Sequence, residues 1–577
     1  MPKIWRPRSV SAENNLPVNS DLLRQLLVGR GITEQPAAER FLTPDYERDL
    51  HDPFLLLGME RACERILHAI TAGEKIAVFA DYDADGVPGA AILAAFFRQI
   101  NFPNFTVYIP DRHEESYGLN NQALAALAAA GVKLLITVDC GITDVAAVAE
   151  AARLGMTVII TDHHLVPEVL PAAYAILNPK QPADPYPYKM LCGAGVVFKL
   201  AQGLVQFWWK SDIHEPWISD FHQVEPGWEK WLLDLVAIAT VSDLVPLTGE
   251  NRALVYFGLK VLRRTPRLGL QRLFVRLNLM PEFLTEDDIS FLIGPRLNSA
   301  SRMSHGQAAY ALLTADDEGE ADRLARHLEE KNDERRASVA VILAAVRSDS
   351  AVAAGRTVLI AGEPNWPLGV LGLAASRLAE EHRRPVFLWG QNGRGEVRGS
   401  CRSAGAVNIV ELMKAASDAA GGELFLNYGG HAAAGGFSLL PKRLPDLTLA
   451  LVAAYAAVAK EPLVRRDELF FDVELSVESF SSATYDSLAR LAPFGVENHK
   501  PVFLFKNLAV RGSRLFGRGP SHLELNLAPG IKAVKFFALG SPPAGGDRID
   551  LLANLEKSYF RDRSELRLRI VDWRMSL

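Results

Sequence analysis

Between Lys75 and His164, short apolar runs alternate with alanine- and leucine-rich stretches, and each run ends on or beside an aspartate. The runs are Ile76 to Phe79, Leu134 to Val138 and Thr157 to Ile160; the stretches between and after them include Ala90 to Arg98, Gln122 to Ala130 and Ala146 to Leu154. Runs of four to six apolar residues separated by helix-length segments read as parallel strands joined by crossover helices, so this region is expected to form a doubly wound parallel sheet. In such a sheet all carboxyl ends share one edge, and ligands bind beyond that edge. Asp81, Asp83 and Asp85 of DYDADG, Asp139 of VDCG and the Asp162-His163-His164 triplet should therefore meet there. Asp243, closing LVAIATVSD, is expected to join them, although that run also suits a helix.

An aspartate at the end of a strand is often no more than the cap of the next helix, and a lone His-His pair is often a surface feature. Four acidic groups on one edge are harder to dismiss, because unpaired carboxylates in proximity raise each other's pKa and a cation is the simple remedy. Carboxylates with one or two imidazoles and no thiolate suit Mn²⁺ or Mg²⁺ better than structural zinc. Asp83, Asp85, Asp139 and Asp243 carry four negative charges. Two divalent ions balance those charges, with neutral His163 as a further ligand. Paired metals about 3.5–4 Å apart are a common device for attacking phosphodiesters.

The 577 residues exceed one core, and about 150 residues per domain suggests three or four. Residues 1–55 hold Pro2, Pro7, Pro17, Pro36, Pro44 and Pro53 and read as a loosely structured N-terminal segment. Residues 56–314 form the first α/β domain. Residues 315–350, charged and free of proline, read as one long exposed helix connecting domains. A second α/β domain spans 351–462, and 463–577 is β-rich with Gly/Pro turns, a small barrel or sandwich. Cys63, Cys140, Cys192 and Cys401 lie far apart, which fits a reducing cytoplasm and neither a disulfide framework nor a thiolate zinc site. No stretch reads as a membrane span or a signal peptide. The net charge of −6 counts mildly against a nucleic-acid partner, but phosphate contacts need only a few placed cations.

DYDADG, VDCGI, TDHH and the later SD stand in the order of the four acidic motifs of the DHH phosphoesterase superfamily, which the chain resembles. Further strings are similar to the RecJ-type exonucleases within it: IPDRHEESYGL, GAGVVF, IGPRLNSASRM, WPLGVLGLAASRL, RGSCRS, YGGHAAAGGFSL and PFGVENHKPVF. The resemblance runs from about residue 60 to the end. It implies a DHH domain, a DHH-associated substrate-binding domain and an OB-like β-barrel. It also implies a metal-dependent exonuclease that degrades single-stranded DNA from the 5′ end in repair and recombination. Asp83 and Asp139 would hold one metal, and Asp85, Asp139, His163 and Asp243 the other, with Asp81 and His164 behind them or ligating occasionally. Ser400 and Arg402 would grip substrate phosphate, with Arg112, Arg296 and Arg302 as further candidates, and His431 would belong to the closing GGH segment.

Departures from the family pattern are Val87-Pro88-Gly89 after DYDADG, Ser301 and Cys401 where glycine is common, and His113 where an aromatic is common. They touch substrate contacts and leave the acids intact; a proline there suits a helix's first turn. Smaller relatives that cleave pyrophosphate, cyclic dinucleotides or very short RNA would need no third domain, and a replication scaffold would have lost its acids. The tail interleaves Arg511, Arg514, Arg518, Lys532, Lys535, Lys557, Arg561 and Arg563 with Phe516, Phe536, Phe537, Tyr559 and Phe560, as single-strand binding surfaces do. A helicase and a single-strand-binding protein are the expected partners. No heptad seam or dimer face is apparent, so a monomer is expected.

Overall fold

The computed structural model describes residues 3–8, 16–18, 20–115, 117–210, 224–348, 357–405, 407–459, 468–517, 522–528, 530–538, 541–560 and 563–576. Arg518 and Arg561 of the tail, Pro2 and residues 460–467 between the last two regions lie outside them.

The first region holds a five-stranded, wholly parallel sheet in the order Phe105–Tyr108, Lys75–Ala80, Val132–Val138, Thr157–Thr161, Ala175–Leu177. The chain leaves Lys75–Ala80 toward one neighbour and returns to pair Val132–Val138 on its other side. That reversal opens a crevice between the carboxyl ends of these two strands, where Asp81 and Asp139 stand. The three central strands are buried almost throughout, as a sheet covered by helices on both faces requires. Pro88 sits in the first turn of helix Gly86–Gln99, where its missing N–H costs no bond. LVAIATVSD is helical: Leu233–Ser242 forms a helix buried on all sides, with Asp243 as its cap.

The second region is a mixed sheet ordered Asn427–His431, Ala434–Leu439, Val397–Arg402, Val386–Gln391, Leu359–Gly362. The C-terminal region is a seven-stranded mixed sheet dominated by the paired strands Arg548–Phe560 and Arg563–Met575.

Two expectations need correction. The long helix, Glu318–Ser348, is not exposed all round. Leu324, Ala325 and Leu328 pack into the core of the first region, and Val339, Ile342, Leu343 and Val346 pack against helix Leu368–His382 of the second. Its charges occupy the remaining faces, and the apolar stripe is what makes the helix a bridge. The N-terminal segment is folded, and onto the far end of the chain. Leu23, Leu26 and Leu27 share a core with Phe503, Phe505, Ile549 and Leu551, and strand Ile4–Pro7 pairs with Glu468–Phe471. Several of its prolines start structure: Pro36 and Pro53 occupy the first turns of short helices. Arg252 locks this junction to the first region, donating to the Phe41 and Leu491 carbonyls at 2.9 Å each.

Candidate metal centre and phosphate cleft

Asp139 ends its strand with φ +59, a left-handed turn that aspartate tolerates better than most residues and that turns the chain at the crevice. It is 2% exposed. Gly193, opening helix Gly193–Lys210, makes room for it: a Cβ there would lie 2.6 Å from Asp139 Oδ1. The same helix start donates to Asp85, from Gly193 N at 2.6 Å and Ala194 N at 2.7 Å, as helix N-termini do for anions. Asp83 Oδ1 accepts from the backbone of Asp85 and Gly86 at 2.8 and 3.1 Å. Gly86 is obligatory, since a Cβ would lie 2.4 Å from the Asp81 carbonyl.

His163 stands at the centre. Its Nε2 lies 3.2 Å from Asp139 Oδ1 and 3.7 Å from both Asp85 Oδ2 and Asp243 Oδ2. Three sets of ligand atoms fall within 4.8 Å of one another: Asp81, Asp83 and Asp139; Asp85, His163 and Asp243; Asp139, His163 and His164. Asp81 Oδ1 and Asp139 Oδ1 are buried without a hydrogen-bond partner among the described residues. Burial first, then neighbouring carboxylates, push Asp81 and Asp139 well above the usual range, Asp85 up to about 7 and Asp243 up to about 8. Burial, with His164 and Lys180 nearby, drives His163 down to about 3, so it is neutral as a metal ligand must be. Buried acids short of cations, orphaned oxygens and a neutral imidazole fit hard divalent ions.

Asp162, the first letter of TDHH, is not among these ligand sets. Its Oδ1 accepts from the His163 and His164 backbone and lies 2.8 Å from His164 Nδ1, while Oδ2 accepts from Ile142 N. Burial pulls His164 down, but the bond to Asp162 and the charges of Asp162, Asp243 and Asp81 together outweigh it and the imidazole is raised. Tyr117 adds a support that motif reading passed over: its hydroxyl donates to the Asp139 carbonyl at 3.0 Å and lies 3.2 Å from His164 Nδ1. Its only signal was its place in SYGL. Asn298 is another, accepting from Ala84 N at 3.0 Å and so holding the DYDADG loop. Lys180 is a third, half-buried and within electrostatic reach of Asp243, Asp162 and Asp139. Leu244, directly after Asp243, has φ +61, a conformation costing a residue with a Cβ roughly 1–2 kcal/mol.

The cation candidates divide. Arg112, His113, Gly369, Arg398 and Ser400 line a cleft of about 100 Å³ between the first and second regions. Arg112 lies over the Tyr82 ring, 4.9 Å from its centre. Arg302 donates to the Gly369 carbonyl at 3.1 Å; burial and then Arg112 hold its guanidinium down to about 9. Arg402 and Ser400 reach the first turns of helix Leu368–His382 at Gly372, where a Cβ would lie 2.8 Å from Arg402 Nη2. Burial chiefly, and then Arg112, depresses Arg402, so these guanidinium groups repel one another across the cleft. Exposed His431 falls in the same cross-strand row as Arg402, with Ala434 between them. Arg296 does not join this group. Its guanidinium pairs with Glu329 at 2.8 and 3.0 Å, tying helix Gly294–Met303 to the long helix. Ser301 and Cys401 are both buried, and Cys401 packs in the core of the second region.

Comparison with known proteins gives three family matches: the DHH family, N-terminal domain, at residues 75–240; the DHHA1 domain at 355–457; and the RecJ OB domain at 471–572. The chain is 33% identical over 559 residues to the single-stranded-DNA-specific exonuclease RecJ of Bacillus subtilis, covering 96% of this chain and 67% of that protein. It is 32% identical to the enzyme of that name from Dickeya dadantii, covering 98% of each. Among solved structures, RecJ from Thermus thermophilus in complex with Mn²⁺ matches with a TM-score of 0.78 and 26% identity, over 100% of this chain and 80% of that one. The corresponding Mg²⁺ complex matches with a TM-score of 0.73 and 25% identity, over 100% and 79%. Among the described residues, no helix is long and apolar enough to cross a membrane.

Proposed function

The chain belongs to the RecJ family of single-stranded-DNA-specific exonucleases, and on that footing we propose that it hydrolyses single-stranded DNA from the 5′ end to mononucleotides with divalent cations. Asp81, Asp83, Asp85, Asp139, His163 and Asp243 would hold the ions, Mn²⁺ or Mg²⁺, and Asp139 belongs to more than one of the candidate ligand sets. When bound, these cations stabilise charge on the phosphate and supply a nucleophilic water at neutral pH. The chain's own residues do the rest. Asp162 and Tyr117 fix the ring of His164, which is the imidazole best able to hold a proton beside the reacting phosphate. Arg112, Arg302, Ser400 and Arg402 clamp a terminal phosphate, the guanidinium fork matching its oxygens, and His431 closes from the hairpin. Arg296 has no part in this clamp, because Glu329 already engages it.

One observation carries the reading: the acidic set and the mutually repelling arginines adjoin one another at Tyr82, close enough that Arg112 acts on Asp81 and Asp83 on Arg302. Asp81 and Asp83 flank it in sequence, while Arg112 covers its ring. A phosphate would answer the excess of positive charge among the arginines, and divalent cations would answer the excess of negative charge among the acids. Family membership supports a role in DNA repair and recombination, in the cytoplasm, as a monomer working with a helicase and a single-strand-binding protein. The test is digestion of 5′-labelled and 3′-labelled oligonucleotides, single-stranded and duplex, with Mn²⁺, Mg²⁺ or EDTA. Early release of 5′-label from single strands only, abolished by EDTA, is expected. Early 3′ release, equal cutting of duplex, or activity in EDTA overturns it.

A further inference from the structure

The loops that carry the acids also carry an apolar rim. Leu165 follows His164 and is 69% exposed; Leu244 follows Asp243 and is 67% exposed; Tyr117, bonded to Asp139, is 43% exposed. Leu244 is not outside for want of a core, since Val245 and Leu247 beside it are both buried. It occupies the position after the cap of helix Leu233–Ser242, with φ +61. A left-handed residue closing a helix there is ordinarily glycine, because a Cβ crowds the following carbonyl. The chain therefore keeps an unfavoured residue in a strained conformation and presents its isobutyl group to solvent, one residue from a carboxylate of the acidic cluster. Strain retained at the border of a site points to a task for the side chain.

We propose that Leu244, with Leu165 and the Tyr117 ring, is the resting surface for a nucleobase adjoining the scissile phosphate, and so a determinant of specificity. The inference rests on the exonuclease reading above. The rim adjoins the acidic set, to which the scissile phosphate is brought. The base is the uncharged part of a nucleotide, and its flat face suits an apolar platform.

The full chain can be assayed on two single-stranded oligonucleotides, one ordinary and one with abasic residues at its first two 5′ positions. Wild-type protein should use the abasic strand about tenfold less well, equivalent to about 1.4 kcal/mol. L244G should raise KM for the ordinary strand by about the same factor, lose the discrimination, and leave Mn²⁺ affinity unchanged. Because glycine is at ease at this φ, its Tm should equal or exceed that of wild type. L244M should restore the discrimination. Should L244G melt lower, L244N takes its place, since asparagine also tolerates the left-handed region. An active wild type with L244G unchanged on both strands overturns the proposal alone. Loss of Mn²⁺ affinity in L244G also overturns it, by showing that the strain serves Asp243. A wild type inactive on both strands overturns the exonuclease reading and this inference with it.

Discussion

The acidic edge of the parallel sheet and the C-terminal sheet handle charge in opposite ways. At the edge, carboxylates are buried, crowd one another and rise far above their usual range. In the C-terminal sheet the cations are at the surface and largely answered: Lys532 pairs with Glu565 at 2.7 Å, Arg514 with Glu524 at 2.9 Å, and Arg567 with Glu556 at 2.5 Å. Its aromatics are shared out too. Arg569 covers Phe536 at 4.0 Å, and Tyr559 stacks on Phe283 of the first region with ring centres 4.0 Å apart. Phe537, at 69%, is the most exposed of the tail aromatics whose side chains are described. The lesson is that the first region stores an unmet demand that a ligand must fill, whereas the second has satisfied most of its own. Single changes should therefore be severe in the first and mild in the second.

The sharpest break would come at Asp139. Asp139→Ala removes the carboxylate shared between ligand sets, and hydrolysis at saturating Mn²⁺ should fall on the order of 10³-fold or more, with the circular dichroism of wild type. Near-normal turnover would place the acidic edge beside the C-terminal sheet as a merely structural feature.

Cation binding should next appear as stability. At a hundredfold excess over its dissociation constant, Mn²⁺ should add roughly 2.7 kcal/mol over EDTA. The gap has a sign with pH. Asp85 and Asp243, at about 7 and about 8, lie above the ordinary carboxylate value, so the folded metal-free chain holds protons that the unfolded chain has released. Its stability then falls as pH rises from about 4 to about 8. Cation binding needs those protons gone and strengthens over the same range. The difference in Tm between Mn²⁺ and EDTA should thus widen from roughly pH 5.5 to 8.5; a constant or narrowing gap would contradict the picture of unmet charge.

Arg402→Ala should cost about 1.5–3 kcal/mol in affinity for a 5′-phosphorylated strand, the worth of a hydrogen bond to a charged group, with Mn²⁺ affinity unchanged. Titration of both ligands against the variant checks this, and a loss of metal affinity instead would merge the cleft with the acidic edge.

The smallest effect is expected in the tail. Truncation near Lys460 is a poor probe, because it would strip the N-terminal helices and Arg252 of their partners. Phe537→Ala is cleaner. It should weaken binding to a long single strand by about 1 kcal/mol, the low end for a stacked base, and leave a short oligonucleotide unaffected. A drop of a hundredfold would mean that the C-terminal sheet is as demanding as the acidic edge.

Much of this was legible in the residues alone. Period and composition sufficed for the parallel sheet, since strand and crossover signals are local and a parallel sheet leaves one edge for its carboxyl ends. Convergence of Asp81, Asp83, Asp85, Asp139 and His163 followed from that edge, whereas Asp243 arrives from the end of a helix. What stayed hidden was partnering. Arg296 and Arg302 sit on one helix six residues apart, yet one answers Glu329 and the other reaches the Gly369 carbonyl beside the cleft. Nothing in IGPRLNSASRM distinguishes them. The prolines of the first 55 residues suggested looseness, while the surface that orders them lies at the other end of the chain. By itself, then, the sequence determined which chemistry collects at the sheet edge, because alternation and strand-end position are short-range properties. Only the tertiary structure decided which arginine is engaged by a carboxylate, that the N-terminal segment packs on the far end of the chain, and that Leu244 stands outside under strain. Each of those depends on a neighbour remote in the chain or on a packing choice that no local pattern encodes.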